Sequence, residues 1–302
     1  MILDTEKDII IYEVGPRDGL QNEPQFVSTS TKIELINQLA QSGLKNIEVT
    51  SFVNPQKIPQ MADHSDVYQG ITKFPGINYS ALIPNLKGME AAIQAGVKQI
   101  AIFTAASETF NQRNINCSIE DSLERFKPVV EVAHAHQITI RAYISCALGC
   151  PYEGNIPPEN VLALARRLHE FNINEISFGD TIGVGTPKQT QALLTALKQE
   201  LSTDFLCMHF HDTYGQAVAN VYAALEMGIY KFDSAVAGLG GCPYARGASG
   251  NLATEDLLYL LHGMGLKTGV DIFKIVQIGG NICHKLNRPN QSKVGRALLA
   301  KP

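Results

Sequence analysis

Eight times along these 302 residues, a short run rich in apolar and β-branched side chains gives way to a stretch with helical spacing. The β-rich runs are 9–14 (IIIYEV), 46–51 (NIEVTS), 79–83 (YSALI), 99–105 (QIAIFTA), 138–145 (ITIRAYIS), 175–180 (EISFGD), 205–211 (FLCMHFH) and 231–237 (KFDSAVA). Helices are expected at about 31–42, somewhere in 60–74, in LKGMEAAIQAG, at about 118–136 and 158–171, after Pro187, in the run ending at Gly228, and in ATEDLLYLLHGMG. Strict alternation makes neighbouring strands parallel, with each helix as the crossover. Eight such units predict an α/β chain folded as a (β/α)8 TIM barrel. An open doubly wound sheet is the rival, but no GxGxxG follows the first run to mark a dinucleotide site.

Barrels of this kind commonly run as one domain of about 250 residues. One domain over 1–302 is therefore expected, with the barrel at about 8–265. IFKIVQIGGNICHKL predicts one or two additional helices in an extension at about 266–302. A 45% hydrophobic content supports a large core. A net charge of -4 opposes a nucleic-acid surface, and no apolar run approaches the roughly 18 residues of a membrane span. The six cysteines fit no small disulfide framework, and Cys146 and Cys150 are read as packing residues. The start of the chain shows no signal h-region and its end no peroxisomal SKL address, so a cytoplasmic protein is expected.

In such a barrel the chemistry gathers at the C-terminal ends of the strands. There HFHD places His209 and His211 two residues apart, on one face of a strand end. They are either a chelating pair or ordinary polar residues. After the first strand, EVGPRDGLQNE carries Arg17, Asp18 and Gln21. Arg17 and Asp18 are a surface ion pair, or else a carboxylate for a cation beside a guanidinium for a developing anion. After the last strand, AGLGGCPYARGASGN is either a loose loop with a packed thiol or a lid that carries Cys242 in as a proton donor. Asn251 closes that loop as a helix cap or an oxygen ligand. Asp180, Ser177 and Thr181 share the rim after the sixth strand, where Asp180 could equally cap a turn. Glu48 and Tyr143 are read at the ends of strands two and five, orienting substrate. Two histidines with a carboxylate and an amide oxygen would favour Mg²⁺ or Mn²⁺ over a structural zinc site rich in sulfur.

EVGPRDGLQNE, SFVNPQKIPQMAD, PNLKG, SCALGCPYEG, GDTIGVGTP, HFHDTYGQA and AGLGGCPYARGASGNLATEDL together resemble the 3-hydroxy-3-methylglutaryl-CoA lyases, in order and from about residue 9 to 296. The resemblance implies a metal-dependent barrel cleaving that acyl-CoA to acetyl-CoA and acetoacetate, with Mg²⁺ or Mn²⁺ and as a homodimer. It implies Asp18, His209, His211 and Asn251 as metal ligands, and Arg17 as stabiliser of the thioester enolate. Cys242 would be the acid that protonates that enolate. Asp180 and Glu48 would be acidic catalytic residues, with Gln21, Tyr143, Ser177 and Thr181 as substrate contacts beside Arg17. The chain lacks the targeting extension and cysteine-bearing C-terminus of animal relatives, which suggests a bacterial-type cytosolic enzyme. Related synthases read RDGEQ where this chain has RDGLQ, and they add a regulatory domain for which the final 35 or so residues leave no room. A barrel that binds metal without catalysis could have lost Arg17 or Cys242, and both are present.

Overall fold

The computed structural model describes residues 6–241 and 250–300. Eight parallel strands close a barrel in sequence order: β1 (Ile10–Glu13), β2 (Asn46–Ser51), β3 (Asn78–Leu82), β4 (Gln99–Ala105), β5 (Thr139–Ser145), β6 (Glu175–Asp180), β7 (Leu206–Phe210) and β8 (Lys231–Ser234). Closure is made by β1, which pairs with β2 on one side and with β8 on the other. Around them lie α1 (Thr29–Ala40), α2 (His64–Gly70), α3 (Leu86–Ala95), α4 (Glu108–Ile115), α5 (Ile119–Ala135), α6 (Pro158–His169), α7 (Pro187–Leu197), α8 (Ala217–Glu226) and α9 (Thr254–Gly263). Two further helices, α10 (Ile272–Lys285) and α11 (Lys293–Leu299), form the expected C-terminal addition.

Two elements depart from the expectation. Between β4 and β5 there are two helices instead of one. Ser107 caps α4, Asn116 ends it in the left-handed conformation, and Ser118 starts α5 with a capping box to Asp121. The α4 sequence ETFNQRNI is too polar to show a helical apolar period, so only its caps could have revealed it. The two glycines of IFKIVQIGGNICHKL, expected to interrupt that helix, lie inside the continuous α10. A Cβ on Gly279 would stand 2.3 Å from Glu255 Oε1, so a larger residue where α10 crosses α9 would have to displace the Glu255 carboxylate from the Ala237 amide it holds.

The outward faces of the strands are apolar and sealed under the helices, whereas the interior is unusually polar. Glu48, Arg141, Glu175, Ser177 and Asp233 are all buried there, with a small apolar cluster of Leu82, Ala101 and Tyr143. The segment after β8 is pinned by two sealed carboxylates. Glu13 accepts from the Gly15 and Val236 amides at 2.8 and 2.9 Å and from the Thr254 hydroxyl at 2.7 Å. Glu255 accepts from the Ala237 amide at 2.8 Å.

Burial pushes Glu13 up to about 7 and Glu255 up to about 8, against the pull of the amides they hold. The folded protein therefore keeps protons that the unfolded chain loses near 4.5. Their stabilising effect is full below that pH and is lost as pH rises through 7 and 8, at no more than about 1.4 kcal/mol per pH unit for each group. Urea unfolding between pH 5 and 9 should show stability falling. Glu255→Gln, which cannot ionise, should flatten the upper part of the curve. An equally steep curve in the variant would remove Glu255 as its source.

Candidate active site

A cavity of about 580 Å³ opens at the C-terminal mouth of the barrel, lined among others by Arg17, Asp18, Gln21, Tyr143, Thr181, His209 and His211. Residues 15–19, just beyond β1, wind into a π-helical turn. The amides of Arg17, Asp18 and Gly19 all converge on the Val14 carbonyl. That single wide turn throws Arg17 and Asp18 together over the mouth. His209 is the fourth residue of β7, and His211 follows it by two, so both rings reach the same side, with centroids 5.2 Å apart.

Asp18, His209 and His211 each offer a ligand atom, and the three atoms lie within 4.8 Å of one another. Burial opposes the charge of Asp18, but Arg17 and the two histidines outweigh it and hold its carboxyl down at about 2. Burial, helped by the neighbouring His209, lowers His211 to about 4. At neutral pH the cluster therefore presents an ionised carboxylate and a neutral imidazole of His211, the states in which those groups ligate a cation. Among the described residues, the buried His211 Nδ1 and Asn251 Oδ1 have no hydrogen-bond partner, nor does Gln21 Oε1 at the same cavity. Asn251 precedes α9 by three residues and does not cap it, since Ala253 holds the cap position. Its amide nitrogen instead donates to Asp18 Oδ2 at 2.8 Å and to the Leu239 carbonyl at 3.0 Å, while its backbone bridges to His211. The mixed nitrogen and oxygen donors fit a divalent cation.

Arg17 is buried against two carboxylates, Glu48 and Asp18, the latter at 2.7 Å. Its guanidinium carbon lies 5.5 Å from the centre of the Tyr143 ring. The Tyr143 hydroxyl donates to Glu48 at 3.0 Å and accepts from Arg141 at 2.9 Å.

Three residues expected at the substrate are placed otherwise. Glu48 lies mid-strand, not at the end of β2, and both its oxygens are spent on Arg17 and Tyr143 below the cavity wall. Ser177 is also buried in mid-strand and donates to Asp233 at 2.6 Å. Asp180 accepts from the Val184 and Gly185 amides at 3.1 and 2.9 Å, so it ties the turn after β6, and burial pushes it up to about 6. Tyr143 stands two residues before the end of β5 yet does reach the cavity, as do Gln21 and Thr181; the Thr181 hydroxyl accepts from the Cys146 amide at 2.8 Å. Cys242 lies outside the described residues. Sequence reasoning missed Arg141 and Asp233, charged residues at interior positions of β5 and β8. It also missed Lys57 and Arg125, which line the cavity from loop and helix.

Residues 8–282 match the HMGL-like protein family. A Pseudomonas aeruginosa protein named 3-hydroxy-3-isohexenylglutaryl-CoA/hydroxymethylglutaryl-CoA lyase is 56% identical over 295 residues, covering 98% of each chain. A crystal structure of hydroxymethylglutaryl-CoA lyase from Pseudomonas aeruginosa superposes with a TM-score of 0.97 at 55% identity over 100% of both chains. An HMG-CoA lyase from Acinetobacter baumannii, solved in complex with coenzyme A and 3-methylmalate, gives a TM-score of 0.93 at 36% identity, covering 98% of this chain and 97% of that one. On fold and sequence together, the chain belongs to the HMGL-like family and is an enzyme whose named relatives are hydroxymethylglutaryl-CoA lyases.

Proposed function

We propose that this enzyme cleaves 3-hydroxy-3-methylglutaryl-CoA to acetyl-CoA and acetoacetate. The observation that carries the reading is the convergence of Asp18, His209 and His211 beside the buried Arg17 at one cavity. In this reading Asp18, His209, His211 and Asn251 hold Mg²⁺ or Mn²⁺. A dication bound there supplies Lewis acidity to the substrate oxygens and makes the C3 hydroxyl easier to deprotonate.

The C3 hydroxyl passes its proton to water in the cavity, which later returns one to Cys242, and the bond between C2 and C3 breaks. Its electron pair becomes the enolate of the acetyl thioester, and C3 becomes the ketone of acetoacetate. Arg17 spends two of its five N–H groups on Glu48 and Asp18, and those carboxylates aim the remainder at the enolate oxygen. Cys242 completes the reaction by giving its proton to C2. Asp180 contributes by fixing the turn that presents Thr181 to the cavity. The partner is thus a small acyl-CoA. A net charge of -4 suits neither nucleic acid nor an anionic membrane, and no described helix is long and apolar enough to cross a membrane. Family likeness also brings a homodimer into the reading.

Purified protein supplied with the substrate and Mg²⁺ should form both products in equal amounts, and chelation should abolish turnover. A folded, cation-binding protein that forms neither product would overturn the acyl assignment. Cys242→Ala should lower kcat about 10²-fold or more with Mn²⁺ affinity retained. His209→Ala should lower the Mn²⁺ affinity itself, and normal affinity in that variant would exclude His209 as a ligand.

A second reading concerns the substituent on C3. The β3, β4 and β5 side of the cavity is walled by Leu82, Phe103, Phe126 and Ile144, an apolar surface suited to a chain longer than methyl. It receives support from the isohexenyl substrate in the name of the Pseudomonas aeruginosa relative. The two kcat/KM values should then lie within about 10-fold, since a pocket too small by several methylenes discriminates far more strongly. Rejection of the longer substrate by 10³-fold or more would exclude this reading, on the order of magnitude expected for steric exclusion.

A further inference from the structure

One buried carboxylate near the donor cluster takes no part in the chemistry above. Asp233, on β8, has no open side to solvent. Its Oδ1 accepts from Arg141 Nη2 at 2.7 Å and lies 3.4 Å from the Cys207 thiol. Its Oδ2 accepts from the Ser177 hydroxyl at 2.6 Å and lies 3.2 Å from His209 Nδ1. We propose that Asp233 is the positioning residue for His209, holding the ring proton on Nδ1 so that Nε2 is the nitrogen offered to the cation. The inference rests on the reading of the cluster as a cation site.

The argument is one of donors and acceptors. The Arg141 guanidinium donates to Asp233 at 2.7 Å and the Ser177 hydroxyl at 2.6 Å, an ion pair and a hydrogen bond that both call for the carboxylate form. An ionised carboxylate can only accept, so the nitrogen facing it must carry a proton. A neutral imidazole has one protonated and one bare nitrogen, which leaves the lone pair on Nε2. Asp233 is itself held on three sides by Arg141, Ser177 and Cys207, so it cannot swing to follow the ring. The negative charge behind the ring also makes the bare nitrogen a better ligand.

His211 offers the contrast. Its Nδ1 is buried with no hydrogen-bond partner among the described residues, so nothing comparable fixes its tautomer. The two histidines therefore divide the work: His209 is set before a cation arrives, and His211 settles when it does.

The full-length metal-free protein, labelled with ¹⁵N-histidine, tests this directly, with the His209 signals assigned by their absence from His209→Gln. His209 should show a protonated Nδ1 and a bare Nε2. Asp233→Asn, whose amide can either accept or donate, should give a mixture of tautomers. Its Mn²⁺ affinity, read by electron paramagnetic resonance, should fall about 10- to 100-fold. Ser177→Ala keeps the carboxylate and removes one of its anchors, and should cost a smaller factor of about 3. It also decides the matter if Asp233→Asn fails to fold around Arg141.

A proton on Nε2 in the wild-type protein would overturn the proposal. So would Mn²⁺ affinity unchanged in both variants. Failure of the wild-type protein to take up Mn²⁺ would instead overturn the cation site, and the two failures are distinguishable because the ring spectrum is read without metal.

Discussion

A guanidinium sealed inside the barrel sets the terms for everything above it. Arg141 donates to Glu175 at 2.9 Å, to Asp233 at 2.7 Å and to the Tyr143 hydroxyl at 2.9 Å, and its carbon stacks 3.8 Å from the Tyr12 ring centre. Leaving such a charge buried without partners would cost several kcal/mol, so each acceptor around it is obligatory. The acceptors come from β5, β6 and β8, and the network therefore fixes the relative placement of strands that backbone pairing alone leaves adjustable. Two branches rise from it. One runs through Asp233 to His209, and the other through Tyr143 and Glu48 to Arg17 and Asp18.

This arrangement explains why some barrel interior positions carry charge where Val or Ile would pack more simply. An apolar floor would support the strands but could not orient hydrogen-bonding groups at the mouth. Here His209 and Arg17 each lean on a fixed polar partner beneath them, Asp233 for the one and Glu48 for the other. The orientation is thus built into the folded state and does not wait for the ligand, which is what a preorganised site requires.

The alternation of strand and helix was legible because it depends on local spacing, and the strand ends for β4 and β6 follow directly from their apolar runs. The histidine pair and the Arg17–Asp18 step were legible because position relative to a strand end follows from the chain alone. Depth within the barrel was not. Alternation tells which face Glu48 or Ser177 takes, yet not whether a partner beneath will claim the side chain, and in both cases one does. Arg141 with Asp233 is a contact across 92 residues, and no local pattern announces it. The helix at Glu108–Ile115 was hidden for a different reason, since its polar sequence gives periodicity nothing to detect.

Asp18 shows how one carboxylate can serve two cations. Its Oδ1 accepts from Arg17 and its Oδ2 from the amide nitrogen of Asn251, so each oxygen has its own partner. A divalent ion among Asp18, His209 and His211 would sit near a guanidinium, and the shared carboxylate screens that repulsion. Asn251 as it stands points a donor at this carboxylate, while its own oxygen is buried without a partner among the described residues. For that oxygen to serve as a ligand the amide must turn over, exchanging a hydrogen bond to Asp18 for a bond to the ion. The loop that begins at Leu239, whose carbonyl also holds the Asn251 nitrogen, would lose that contact in the same movement. Turning that amide would thus trade hydrogen bonds to Asp18 and Leu239 for one bond from its oxygen to an ion, so the side chain of Asn251 could answer to only one of the two at a time.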